Sequence, residues 1–171
     1  MKFMVSAFCV VVGLGSVELA AQTRPDFSGT WTMDLSRSEA AAQGTPIGPV
    51  VVAIRQMPEE LRIETTRNGS AQTIRYLPAA AKAVSGGEAV GAFRWDGSRL
   101  ITTFVTSINN QAITVEEVRT LDAAGAEMTV EVSLVVEHGY QSGGSNTLRS
   151  QNSPNTAKGV NVFVKATGDR P

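Results

Sequence analysis

The chain has 171 residues, 42% of them apolar, and a formal net charge of −1 at pH 7. A balance so close to neutral argues against nucleic acid or an anionic membrane as the main partner, and one cysteine cannot make an internal disulfide. The length is enough for one buried core without covalent staples.

Residues 1–21 read as a secretory signal peptide. Lys2 supplies the positive start, and the apolar run Phe3 to Leu19, broken only by Ser6, Gly13, Gly15, Ser16 and Glu18, supplies the hydrophobic region. Ala20-Ala21 offers small residues for cleavage. The run is short for a bilayer span of about 20 apolar residues, and Cys9 has no small-residue lipoprotein box before it. Cleavage leaves an exported single domain, 22–171, with no cysteine and no membrane span; an uncleaved N-terminal anchor is the alternative.

The first strand is expected at Phe27–Asp34, with Phe27, Gly29, Trp31 and Met33 on one face. Ser36–Pro49 reads as a loop in which Ser38–Gln43 forms a short helical turn over a barrel mouth. Strand two, Val50–Met57, turns at Pro58-Glu59 into strand three, Glu60–Thr66, setting Ile54 opposite Ile63 and Gln56 opposite Leu61. Asn68-Gly69 suits a type I′ turn, whose two central residues need positive φ. It sets Ile63 opposite Ile74 and Leu61 opposite Tyr76. After Pro78–Ala89, strand five runs Val90–Trp95. Asp96-Gly97 as the next turn pair places Phe93 opposite Leu100 and Arg94 opposite Arg99. Asn109-Asn110 pairs Phe104 with Val115, and a turn over Asp122–Gly125 pairs Val115 with Val132. Residues 138–158 read as a long polar loop, and a last strand, Gly159–Ala166, turns Val160, Val162 and Val164 inward.

With these registers Val50, Val52, Ile54, Leu61, Ile63, Ile74 and Tyr76 share one face. Leu100, Phe104, Ile108, Ile113, Val115, Met128, Val130, Val132, Leu134 and Val136 share its continuation. A slip of one residue in any hairpin breaks that agreement. The pattern predicts an all-β fold: a single antiparallel up-and-down barrel of about eight to nine strands, closed or nearly so. A two-sheet sandwich is the alternative, but its crossovers need longer connections than these turns give.

Ser28-Gly29-Thr30-Trp31 resembles the Gly-x-Trp signature of the calycin group, the lipocalins and avidins. The wider stretch Asp26 to Ser38 is similar to an uncharacterised family of secreted bacterial proteins. The resemblance implies a ligand-binding barrel in which Trp31 plugs the closed end, with an arginine packed across it; Arg119 is the candidate. The second lipocalin motif, its long helix before the final strand, the carboxylate clamp of fatty-acid-binding proteins and the biotin set of avidins have no counterpart here.

The expected interior carries two charges, Glu117 between Thr102 and Val130, and Arg119 between Leu100 and Met128. Buried unpaired ions cost several kcal/mol, so the two either pair near a rim as structure or fix the polar part of a ligand. Tyr76, Phe93, Trp95 and Phe104 also point inward, with Gln56, Thr65, Gln72, Thr102 and Thr106 among them. Apolar walls with a few polar handles describe a small-molecule cavity; a filled core is the other reading. The expected ligand-binding set is therefore Tyr76, Phe93, Trp95, Phe104, Glu117 and Arg119. No cofactor or metal site is read: His138, the one histidine, sits at a strand-to-loop junction as surface residues do, although one calycin-like group holds haem through a histidine. No nucleophile–base spacing or phosphate loop marks an enzyme.

On the outer face Arg55, Arg62 and Arg75 align across three strands, with Glu64 placed to balance them. This gives the competing class, a non-enzymatic envelope interaction module with a filled core that acts through its outer surface. Asn68-Gly69-Ser70 matches a glycosylation sequon but coincides with a required turn.

Overall fold

Period-two alternation and turn chemistry fold this chain into nine strands and no α-helix among the residues described by the computed structural model, 24–41, 48–79, 90–108, 111–136 and 155–167. The expected signal segment with Cys9, His138 and most of the expected 138–158 loop lie outside them. The strands are β1 (Gly29–Met33), β2 (Val50–Gln56), β3 (Leu61–Arg67), β4 (Ser70–Pro78), β5 (Val90–Asp96), β6 (Arg99–Ile108), β7 (Gln111–Leu121), β8 (Glu127–Val136) and β9 (Asn155–Lys165). They close into one barrel in sequence order, with β9 paired to β1.

Three hairpins take the register the sequence predicts. Gln56 pairs Leu61, Leu61 pairs Tyr76, and Phe104 pairs Val115. Asn68 and Gly69 both take positive φ, 49° and 78°, as a type I′ turn requires. Two other hairpins differ by two residues. Of the turn after β5 only Gly97 has positive φ, so the loop is Gly97-Ser98 and Phe93 pairs Thr102, not Leu100. The Arg94–Arg99 opposition therefore does not occur: Arg94 faces Ile101, and Arg99 pairs with Asp96. After β7, the Asp122 side chain accepts the amides of Ala126 and Glu127 at 2.8 and 2.9 Å, displacing the turn by one residue. Val115 then pairs Leu134, Glu117 pairs Val132 and Arg119 pairs Val130. A two-residue shift changes the partners and keeps the face, which is why the inner set survives.

Three further expectations are corrected. The barrel is not wholly antiparallel, because β4 and β5 run parallel. Strand direction cannot alternate all the way round a closed ring of nine, and the long Pro78–Val90 connection is where a crossover can be accommodated. The last strand begins at Asn155, and its inner face carries Phe163, paired with Met128 and Met33, and not the valines. Val160 and Val164 point outward and are exposed, while Val162, also outward, lies beneath the chain that leaves β1. Finally, a 3-10 turn stands at Leu35–Arg37, capped by Asp34, while residues 38–41 of the expected Ser38–Gln43 turn are not helical and 42–43 lie outside the described residues. From there Glu39 bridges Val160, and the backbone of 39–41 passes so close to Gly159 that a Cβ there would sit 2.4 Å from the Ala41 nitrogen.

The core is the barrel interior, centred on Trp31, Ile54, Leu61, Tyr76, Leu100 and Met128. Outside, the Arg55–Arg62–Arg75 row is present, but Glu60 answers it in place of Glu64, holding Arg62 at 2.5 Å and Arg75 at 3.2 Å.

Candidate functional site

One end of the barrel is sealed. Residues 24–28 cross beneath it, tied by Gln56, whose side chain accepts the Phe27 amide at 3.1 Å and donates to the Pro25 carbonyl at 3.1 Å. Trp31 is wholly buried above this strap, and its indole N–H donates to the Phe27 carbonyl at 2.9 Å. The residue packed across the tryptophan is Lys165, its Nζ 5.2 Å from the ring centre, and not Arg119. Gly29 makes room for the lysine stem: its φ is +130°, and a Cβ would lie 2.9 Å from Lys165 Cε. Lys165 escaped the sequence reading because the face of β9 is set by closure onto β1, which no local turn encodes.

Above the seal lies a polar layer in an otherwise apolar interior. Arg119 is 3% exposed; its Nη1 donates to Thr102 Oγ1 at 2.6 Å and its Nη2 is ion-paired with Glu117 Oε2. Arg119 Nε is buried with no acceptor. The Tyr76 phenol completes the group through a hydrogen bond with Thr102. Burial, then the Glu117 charge, push its ionisation far above the ordinary tyrosine range, opposed by Arg119 and Thr102. Gly91 accepts the Tyr76 ring, since a Cβ there would be 2.4 Å from it, and Phe104 meets that ring edge-on at 6.3 Å. Pairing and hydrogen bonding offset the desolvation that an isolated buried guanidinium would suffer. Thr102, wholly buried, was predicted only as one polar handle among several, yet it joins Tyr76 to Arg119.

Exposure changes across this layer. On β6, Leu100 and Thr102 are wholly buried whereas Phe104 and Thr106 are half-buried; on β8, Met128 and Val130 are buried whereas Val132, Leu134 and Val136 are half-buried. On β7, Ile113 and Val115 remain just inside at 8% and 6%, and the Glu117 side chain is 22% exposed against 4% for Arg119. The wall is low on one side. β5 pairs β4 only from Arg75 and β6 only up to Thr103, so among the described residues no strand separates the upper halves of β4 and β6. A groove of about 310 Å³ runs along the outer side of β5, lined by the outward Leu77, Val90, Ala92, Thr103 and Val105 with Phe104 at its edge.

Of the residues predicted to bind a ligand, Tyr76, Phe104, Glu117 and Arg119 come together at this layer. Phe93, though paired with Thr102, and Trp95 below it both line a cleft of about 340 Å³ beside the sealed end, where Trp95 packs on Phe27 at 6.0 Å and under the Arg24 guanidinium at 5.5 Å. Among the described residues no group of three or more His, Cys, Asp or Glu could hold a metal, and no helix is long and apolar enough to cross a membrane.

No protein-family profile matches the chain, and no curated protein matches it. Among solved structures it is similar to a REP1-NXSQ fatty acid transporter, at 12% identity and a TM-score of 0.44 over 84% of this chain and 98% of that one. It is similar to the same degree to a secretory abundant heat soluble protein from Ramazzottius varieornatus, at 7% identity and a TM-score of 0.44 over 85% and 98%. These likenesses are of barrel outline, and the reading of function rests on the residues.

Proposed function

We propose that the protein is an exported, non-catalytic carrier that binds a small, largely apolar molecule in the upper half of the barrel. The exposure gradient carries this reading: on β6 and β8 inward apolar side chains of one alternating pattern are sealed below the polar layer and reachable above it. Half-exposed apolar walls over a few fixed polar groups are what a small-molecule site needs. Phe104, Val132 and Leu134 serve as walls, the Tyr76–Thr102–Glu117–Arg119 group as the floor, and Trp31 as the structural plug. Export rests on residues 1–21, and the non-catalytic reading on the sequence alone.

Native mass spectrometry of the protein purified from its own cells, beside a Glu117→Gln/Arg119→Leu variant, tests it. A co-purifying mass that the folded variant loses supports the carrier. A bare chain in both, with no small-molecule uptake on addition of apolar probes, would instead favour a filled barrel that acts through its outer surface.

A further inference from the structure

The floor of the proposed site has an electrical polarity that constrains its ligand. Arg119 has five N–H donors; one on Nη1 goes to Thr102 and one on Nη2 to Glu117, while Nε is buried with no acceptor. The arginine is walled in, and the member of the pair that solvent reaches is the carboxylate, 22% exposed against 4%. Another inward cation, Lys165, lies at the sealed end over Trp31, where it also draws on Asp26. Looking down from the open half, a ligand therefore meets an acceptor with a neutralised charge behind it, framed by Phe104 and Val132.

We infer that the barrel recognises an amphiphile whose polar end is a hydrogen-bond donor, a hydroxyl or a protonated amine set against Glu117, and that it discriminates against carboxylates. This rests on the carrier reading above. A ligand carboxylate would bring like charge against Glu117, a repulsive juxtaposition that a donor end avoids. Arg119, with a side chain only 4% exposed, lies behind the carboxylate that such a ligand would meet first. A donor end needs no rearrangement: it adds a hydrogen bond to an oxygen already held in place, while the chain lies along the apolar wall. Hydroxyl and ammonium share this chemistry and differ in charge, so their order reports how far Arg119 neutralises the carboxylate.

Isothermal titration of decanol, decylamine and decanoate into the full-length folded protein tests the inference, with the Glu117→Gln variant alongside. The expected result is binding of decanol or decylamine at least about tenfold tighter than decanoate, a difference of about 1.4 kcal/mol. In Glu117→Gln, which is isosteric and releases Arg119, decanoate gains and the preference shrinks or reverses. Decanoate binding the wild-type protein as tightly as the other two overturns the donor preference and leaves the carrier standing. Failure of all three to bind the wild-type protein overturns the carrier reading itself. The wild-type ranking decides the matter even if the variant does not fold.

Discussion

Leu100 and Leu134 are the same residue type, both inward, on β6 and β8 either side of β7; the first is wholly buried and the second half-exposed. The contrast extends to everything around them. Below the Tyr76–Thr102–Arg119 layer the strap 24–28, Trp31 and the Gln56 hydrogen bonds close the barrel on itself. Above it β6 to β9 continue for several residues, whereas among the described residues no strand extends the wall beyond Val90 of β5. Identical alternation thus produces a packed core where the opposing strands reach and an open apolar surface where they do not. Sequence pattern decides which way a side chain points; the lengths of the other strands decide whether anything meets it there.

That contrast can be broken most severely from below. Trp31→Ala removes the plug, and large aromatic truncations in a sealed core cost about 3–5 kcal/mol; urea denaturation is expected to show a loss of that size. A loss within about 0.5 kcal/mol, the size of a surface substitution, would mean that the lower half is not packed. The paired truncations sharpen the comparison: Leu100→Ala is expected to cost about 2–5 kcal/mol, and Leu134→Ala about 1 kcal/mol. Equal costs would erase the distinction between the halves.

Titration probes the layer between them. The folded Tyr76 phenol ionises well above its ordinary value of 10.0, so unfolded chains lose that proton first as pH rises. Its contribution is complete below pH 10 and declines above it. Wild-type stability should therefore fall more steeply in alkali than that of Tyr76→Phe, with phenolate absorbance from this residue appearing only on unfolding. The smallest effect is expected at the 3-10 turn. Asp34 is held down to about 2 by Ser36 and Arg37, below its ordinary 3.8. Its contribution is complete above the ordinary value and is lost as pH falls toward 2, so melting temperatures of wild type and Asp34→Asn should differ at neutral pH and converge in acid.

How much of this could be read from the sequence follows from which contacts are local. Met57–Glu60, Asn68-Gly69 and Asn109-Asn110 fix register within a few residues, and those pairings emerged correctly. At Gly97 and Asp122 the residue that takes the special conformation or caps the loop lay one place from where the pattern put it, so partners slipped by two and faces held. The Glu117–Arg119 pair was visible as a break in the apolar alternation, because a charge on a core face stands out without any tertiary knowledge. What was hidden depends on closure. The inward turn of Phe163 and Lys165 and the Lys165–Trp31 contact need strands far apart in sequence to be aligned first, and the parallel β4–β5 pair follows from closing a ring of nine. On β9 the valines misled, because apolar residues stand on the outer face as well.

The most direct test is thiol labelling in a Cys9→Ser background with single cysteines at Leu100 or Leu134, under native conditions and without added ligand. Leu134→Cys is expected to react freely with a small maleimide while Leu100→Cys is protected until the protein unfolds. Protection of both positions would contradict it, showing a barrel filled from end to end with no room for a ligand above the polar layer.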